Sequence, residues 1–164
     1  MKRFLLIYYC FLVIPIILAS CQNKVTEAVF NEVEELKLVK QSIDNVFKWA
    51  VSKDFDLFYR SIANDSDFIS VTPYNRVKFG FSEDRKDSSF WGSPDFRAIR
   101  HELYDLHIKL SQNKDVAWFF CYLDDINEWK GEPASWENAR WTGVLEKRNG
   151  KWVVVQQHFS FASE

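Results

Sequence analysis

Residues 139–161, ARWTGVLEKRNGKWVVVQQHFSF, decide the fold. Residues 139–147 and 152–161 are rich in β-branched and aromatic side chains, and Asn149-Gly150 between them suits a two-residue turn with positive φ at both central positions. The stretch therefore reads as an antiparallel hairpin. Upstream, residues 116–123 form a nearly continuous apolar run, set off by a polar loop that contains Gly131 and Pro133. These three segments are expected to lie side by side as antiparallel strands.

Toward the N-terminus the pattern changes. Within residues 26–51, Val29, Val33, Leu36, Ile43, Phe47 and Ala50 trace one stripe of a long amphipathic helix. Asp54 is placed to cap a second, shorter helix carrying Phe55, Phe58, Tyr59 and Ile62. Residues 68–72 and 77–81 read as short strands around Pro73-Tyr74-Asn75, and Ser93-Pro94 reads as the start of a brief helix. Residues 97–110 fit both periods: Ile99, Leu103, Leu106 and Leu110 suit a helix, whereas Tyr104, Leu106, Ile108 and Leu110 suit a strand.

The segment from Arg140 through the Asn149-Gly150 turn to Trp152 and on to Phe161, together with Asp115-Val116-Ala117-Trp118, resembles the closing strands of SnoaL-like members of the nuclear transport factor 2-like superfamily. The resemblance covers residues 26–161. It implies an α+β fold in which N-terminal helices pack on a curved antiparallel sheet to form a cone with an internal cavity, and it makes residues 97–110 the long bent strand of that sheet. The superfamily hosts isomerases, dehydratases, hydrolases and noncatalytic proteins, so the resemblance implies no single reaction. The Asp, Tyr and protonated Asp of its ketosteroid isomerase branch find no matching stretch; Tyr59, Tyr104, Tyr122, Asp105 and Asp124 share only their residue types.

The chain begins with Lys2 and Arg3, an apolar run over residues 4–18, and Leu18-Ala19-Ser20-Cys21. A charged start, a short apolar segment and small residues before a cysteine form a bacterial lipoprotein processing site. The run is shorter than the ~20 residues that span a bilayer. The expected organisation is a signal peptide over residues 1–20, a lipidated Cys21 with a short tether over residues 21–25, and the cone domain over residues 26–164. Acylation by palmitate-like chains would anchor the domain at the cell envelope, outside the cytoplasm, and at the outer membrane where there is one.

Processing would remove Lys2 and Arg3, taking the 21 basic residues to 19 against 23 acidic ones. A mildly acidic domain without a basic block argues against nucleic acid. Cys10 would leave with the signal and Cys21 would carry lipid, so Cys121, in an apolar run, is expected to be a buried inert thiol.

Candidate ligand contacts are His158, Arg140, Tyr122, Trp91 and Ser160. Strict alternation on the last strand puts Trp152, Val154, Gln156, His158 and Ser160 on one face, a mixed stripe suited to a cavity wall, with His158 able to donate, accept or titrate. Arg140 has the fork geometry for a carboxylate, although an ion pair with Glu146 competes. Trp91 beside Gly92 is placed to close the mouth of the cone, and Trp129 with Trp136 to form an aromatic rim or a dimer contact. Ser160 next to His158 lacks the orienting acid of a nucleophilic site. His101, Asp105 and His107 share a face that is expected to look outward, and Asp124-Asp125 with Glu128 is expected to be a solvated acidic loop; neither set is a metal site.

The function these residues suggest is an envelope-anchored, small-molecule-binding cone domain, noncatalytic or of unassigned activity, for an apolar or aromatic ligand and with no cofactor. An isomerase- or dehydratase-type enzyme using His158 as acid or base is the alternative. A homodimeric interaction module using the outer sheet face is compatible with both.

Overall fold

The computed structural model describes residues 30–162, which lie almost wholly within one compact unit, Asn31–Glu164. Helix α1 (Glu32–Ser52) begins where the Asn31 side chain accepts a hydrogen bond from Glu34 N, with Glu32, Glu34 and Glu35 in the first turn opposing the helix dipole. It stops at Lys53, which adopts a left-handed conformation (φ 55°). Its buried stripe is Val39, Ile43, Val46, Trp49 and Ala50. Helix α2 (Phe55–Ser61) starts at Asp54, whose carboxylate accepts from Leu57 N at 2.9 Å, as the sequence suggests.

Two short strands follow, β1 (Ile69–Val71) and β2 (Val77–Phe79), and two single-turn helices, α3 (Phe81–Arg85) and α4 (Ser88–Gly92). The brief helix expected at Ser93-Pro94 does not form. α4 ends there instead, and the Ser93 hydroxyl accepts from Asp95 N in a tight turn that launches the next strand. Ser-Pro suits the opening of a turn as well as the opening of a helix, and no helical apolar period follows it.

The long strands are β3 (Phe96–Leu110), β4 (Val116–Trp129), β6 (Trp136–Arg148) and β7 (Lys151–Ser160), with the two-residue β5 (Glu132–Pro133) folded back on β4. The sheet order is β2-β1-β7-β6-β4-β3. It is mixed rather than purely antiparallel, because β1 runs parallel to β7, with Ile69 opposite Gln156. Lys130-Gly131 and Asn149-Gly150 make the turns with positive φ throughout.

Four register shifts curl this sheet, and each also re-aims side chains. In β7 the extra residue is Val155: Val144 faces Gln156, yet its neighbour Leu145 faces Val154. One inserted residue moves every later side chain to the other face. Trp152 and Val154 therefore share the concave side with Gln157 and Phe159, and His158 is turned outward, which corrects the strict alternation read from the sequence. In β3 the shift at Asp105 (φ 50°) lets Leu103 and Leu106 both pack toward the core while His107 stays exposed. In β6 the extra residue near Asn138 (φ 55°) is held by Asp124, which accepts from Asn138 N at 2.7 Å.

The concave face packs α1 against Phe119, Cys121, Trp141, Leu145, Val154 and Phe159, and Trp141 is fully buried between Phe47, Phe119 and Phe159. Burial pushes the Cys121 thiol up to about 12, consistent with an unreactive core cysteine. Gly143 makes the sheet's closest approach, since a Cβ there would lie 2.6 Å from the Phe119 ring and 2.8 Å from the Gln156 carbonyl oxygen. No helix among the described residues is long and apolar enough to cross a membrane. The expected signal peptide and the lipidated Cys21 with its tether lie outside the described residues.

Candidate functional site

Between α1, the β1–α4 segment and the open end of the sheet lies a cavity of about 570 Å³. That volume falls in the range of small-molecule sites. α1 contributes Phe47 and Trp49, and α2 contributes Phe58; Phe90 and Trp91 come from α4, Phe96 from β3, Trp136 from β6 and Phe159 from β7. These rings brace one another. Phe90 and Trp91 lie 4.7 Å apart and edge-on, Trp91 meets Phe96 at 5.0 Å, and Trp136 meets Phe159 at 5.2 Å. Lys53 donates from Nζ to the Ser93 carbonyl at 2.6 Å, tying the end of α1 to the segment that carries Trp91.

The polar part of the wall has two ends. At one, Lys78 on β2 is 7% exposed and bridges Asp84 and Asp87, each at 2.7 Å, while Arg76 reaches Asp87 at 3.1 Å. Two cations thus meet two carboxylates, and this closed network pins α3 and α4 to the β1–β2 hairpin. At the other end, Asp125 and Asn127 on β4 face the cavity. Asn127 Nδ2 donates to Asp125 Oδ2 at 2.8 Å and also approaches the Asp125 carbonyl oxygen at 3.4 Å.

Asp125 lies between two cross-strand neighbours, His101 on β3 and Trp136 on β6. Desolvation dominates its titration and pushes the carboxyl up to about 6, against smaller downward pulls from the Asn127 hydrogen bond and the charge of His101. His101 is turned inward and half-buried, 2.8 Å from Asp44 on α1, and does not look outward as its strand parity suggests. Gln157, on β7, lines the wall between the two ends and donates to the Ser70 hydroxyl at 3.1 Å.

Of the residues expected to touch ligand, the structure places Trp91 on the cavity wall. Tyr122, Arg140 and Ser160 form one cross-strand row on the opposite sheet face, and His158 lies in the adjacent row with Thr142 and Phe120. These four come together, but away from the cavity. Arg140 donates to the Phe161 carbonyl oxygen, Glu146 is taken by Arg148 at 2.8 Å, and Tyr122 stacks on Tyr104 at 5.4 Å. The expected Arg140–Glu146 pair is therefore not formed. Trp136 lines the cavity, while Trp129 backs it by stacking on the lining residue Phe90 at 4.5 Å.

Asp125, Asn127 and Gln157 are among the cavity residues that the sequence reading missed, as are Arg76, Lys78, Asp84 and Asp87. For the first two a signal existed: the alternation Ala117, Phe119, Cys121, Leu123 continues without interruption to Asp125 and Asn127, so the segment read as an acidic loop is the end of β4. Gln157 was hidden by the bulge at Val155. No cluster of side chains fit to hold a metal ion occurs among the described residues.

A family model of the SnoaL-like domain matches residues 39–164. The chain belongs to the SnoaL-like domain family. Solved structures agree on the fold of this SnoaL-like domain. An NTF2-like family member from Streptomyces avermitilis, proposed to be a dehydratase, aligns over 82% of this chain and 100% of its own at 15% identity, with a TM-score of 0.67. An NTF2-like protein of unknown function from Prochlorococcus sp. NATL2A aligns over 82% and 96% at 16% identity, with a TM-score of 0.62. An NTF2-like protein from Cytophaga hutchinsonii aligns over 81% and 100% at 11% identity, with a TM-score of 0.63. No curated protein matches the chain. Identities this low establish the shared architecture, and the activity has to be argued from the site itself.

Proposed function

We propose that the protein is an envelope lipoprotein, anchored through Cys21, whose SnoaL-like domain binds a small molecule with an apolar or aromatic body. The observation that carries the binding reading is the cavity itself: about 570 Å³, walled by aromatic rings, with Asp125, Asn127 and Gln157 as convergent polar groups. Sequence alone supports the anchor, through Lys2, Arg3, the apolar run and Leu18-Ala19-Ser20-Cys21. Native mass spectrometry of the full-length protein, released from lipid nanodiscs before and after organic extraction, tests the binding reading. A retained small molecule supports it, and a protein that neither retains nor takes up small apolar compounds contradicts it. Metabolic labelling with radioactive palmitate tests the anchor, with label expected on the wild type and absent from Cys21→Ala.

One observation favours a second reading, proton-transfer catalysis in the same cavity. A carboxyl raised to about 6 is poised to accept and return protons near neutrality. The acid/base role then falls to Asp125 and not to His158. The convex face, where Trp118 is 49% exposed beside Phe120 and Val144, is the surface we propose for pairing with a second copy. Sedimentation of wild type and Trp118→Glu tests that pairing: the wild type is expected to be dimeric and the variant monomeric.

A further inference from the structure

We propose that the cavity is a site for a small organic cation, an amine with an aromatic or aliphatic body, whose ammonium group is held by Asp125 against the aromatic wall. The inference rests on the binding reading above and names its ligand class.

Charge is the main argument. The charged side chains that line the cavity are Arg76, Lys78, Asp84, Asp87 and Asp125. The first four neutralise one another through contacts of 2.7–3.1 Å, which leaves Asp125 as the surplus charge. No salt bridge reaches Asp125 among the described residues, and its cross-strand neighbour His101 is engaged by Asp44 at 2.8 Å. A partly enclosed carboxylate whose nearest cation, His101, is bound to another acid is electrostatically complementary to a ligand cation.

The buried amide beside the carboxylate reinforces this charge. Asn127 is 5% exposed, and its Oδ1 is buried with no partner. Its orientation is fixed, because Nδ2 meets two acceptors of Asp125, so the free group is the acceptor and not the donor. Gln157, also 5% exposed, donates to Ser70 and leaves Oε1 unpartnered. The Asn127 oxygen lies behind the wall surface beside Asp125, where its dipole adds negative potential rather than a ligand contact, and that potential favours a cation. An ammonium has up to three donors and a charge, whereas a hydroxyl has one donor and none. The aromatic rings of the wall, Phe47, Trp136 and Phe159 among them, suit a cation better than they suit an anion.

The test compares three probes of one shape, 4-phenylbutylamine, 4-phenylbutanol and 4-phenylbutanoate, titrated into full-length protein in zwitterionic nanodiscs. Intrinsic fluorescence is the readout, because Trp49, Trp91 and Trp136 line the cavity, and Asp125→Asn is titrated in parallel. The expected result is that the amine binds at least tenfold more tightly than the alcohol, that the acid binds weakest, and that Asp125→Asn removes the preference for the amine while still binding the alcohol. If the alcohol or the acid matches the amine, the cavity reading stands and the cation is refuted. If no probe binds, the cavity reading falls as well. An amine preference that survives in Asp125→Asn also overturns the proposal, because the cation is then held elsewhere.

Discussion

Asn127 donates from Nδ2 to the carboxylate of Asp125 at 2.8 Å, two residues back on the same strand, and in doing so turns its own buried carbonyl oxygen away with nothing to accept from. The pair holds an ionisable group where desolvation opposes its charge. Such an arrangement costs stability, and binding sites are where proteins keep it.

That cost makes the first prediction. The Asp125 carboxyl titrates near 6 when folded and near 3.8 when unfolded, so the folded state holds the extra proton between these values. His101, Asp44 and Asn127 are the polar and titratable groups that surround it. Stability is unpenalised below about pH 4, falls as pH rises through that window, and stays lowered above it, by at most about 3 kcal/mol and by less to the extent that water reaches the carboxyl. Asp125→Asn should therefore be more stable than wild type in urea at pH 8 and no more stable at pH 4, even though it loses the preference for the amine.

Glu35 gives the opposite sign. Hydrogen bonds from Lys147 and then Trp152 hold its carboxyl below the ordinary value of 4.5, outweighing the upward push of burial. The contacts, 2.6 Å to Lys147 and 2.8 Å to Trp152, clamp the first turns of α1 to the last hairpin. Their contribution is present above pH 4.5 and is lost as pH falls through the lowered value. Glu35→Gln should cost about 1–2 kcal/mol at pH 7 and much less at pH 3, measured by denaturant unfolding.

Gly143→Ala should destabilise the domain by about 1–3 kcal/mol, because the added methyl meets the Phe119 ring and the Gln156 backbone in a packed sheet. Neither neighbour is a flexible side-chain end. An unchanged urea midpoint would show that β6 and β7 shift freely.

His158→Ala should leave probe binding in the cavity unchanged within twofold, since His158 is exposed on the convex face opposite Thr142. Asp125→Asn serves as the positive control in the same titration.

The architecture was legible because most long strands announced themselves locally: Asn149-Gly150 set the last hairpin and the apolar run of β4 set its neighbour, whereas residues 97–110 fitted both periods and only the resemblance resolved them as β3. The fine aim of side chains was less legible. Alternation assumes an unbroken pleat, and the bulges at Val155 and Asp105 break it, so Gln157 replaces His158 on the wall and His101 turns inward while His107 does not. A bulge is stabilised by partners from other strands, as Asp124 holds Asn138, and such pairing cannot be read along one segment. Asp125 and Asn127 were within reach, because their strand keeps its parity. Their charge and polarity next to Asp124 and Glu128 made the strand end look like a loop.

The most direct test of the account is a 13C NMR titration of the Asp125 side-chain carboxyl in the full-length protein, its resonance assigned through Asp125→Asn. The midpoint should lie near 6 in the free protein and move down by a unit or more when 4-phenylbutylamine is bound. A midpoint near 4 that the amine leaves in place would contradict it, and would mean that the polar end of the cavity is open to water and holds no ligand.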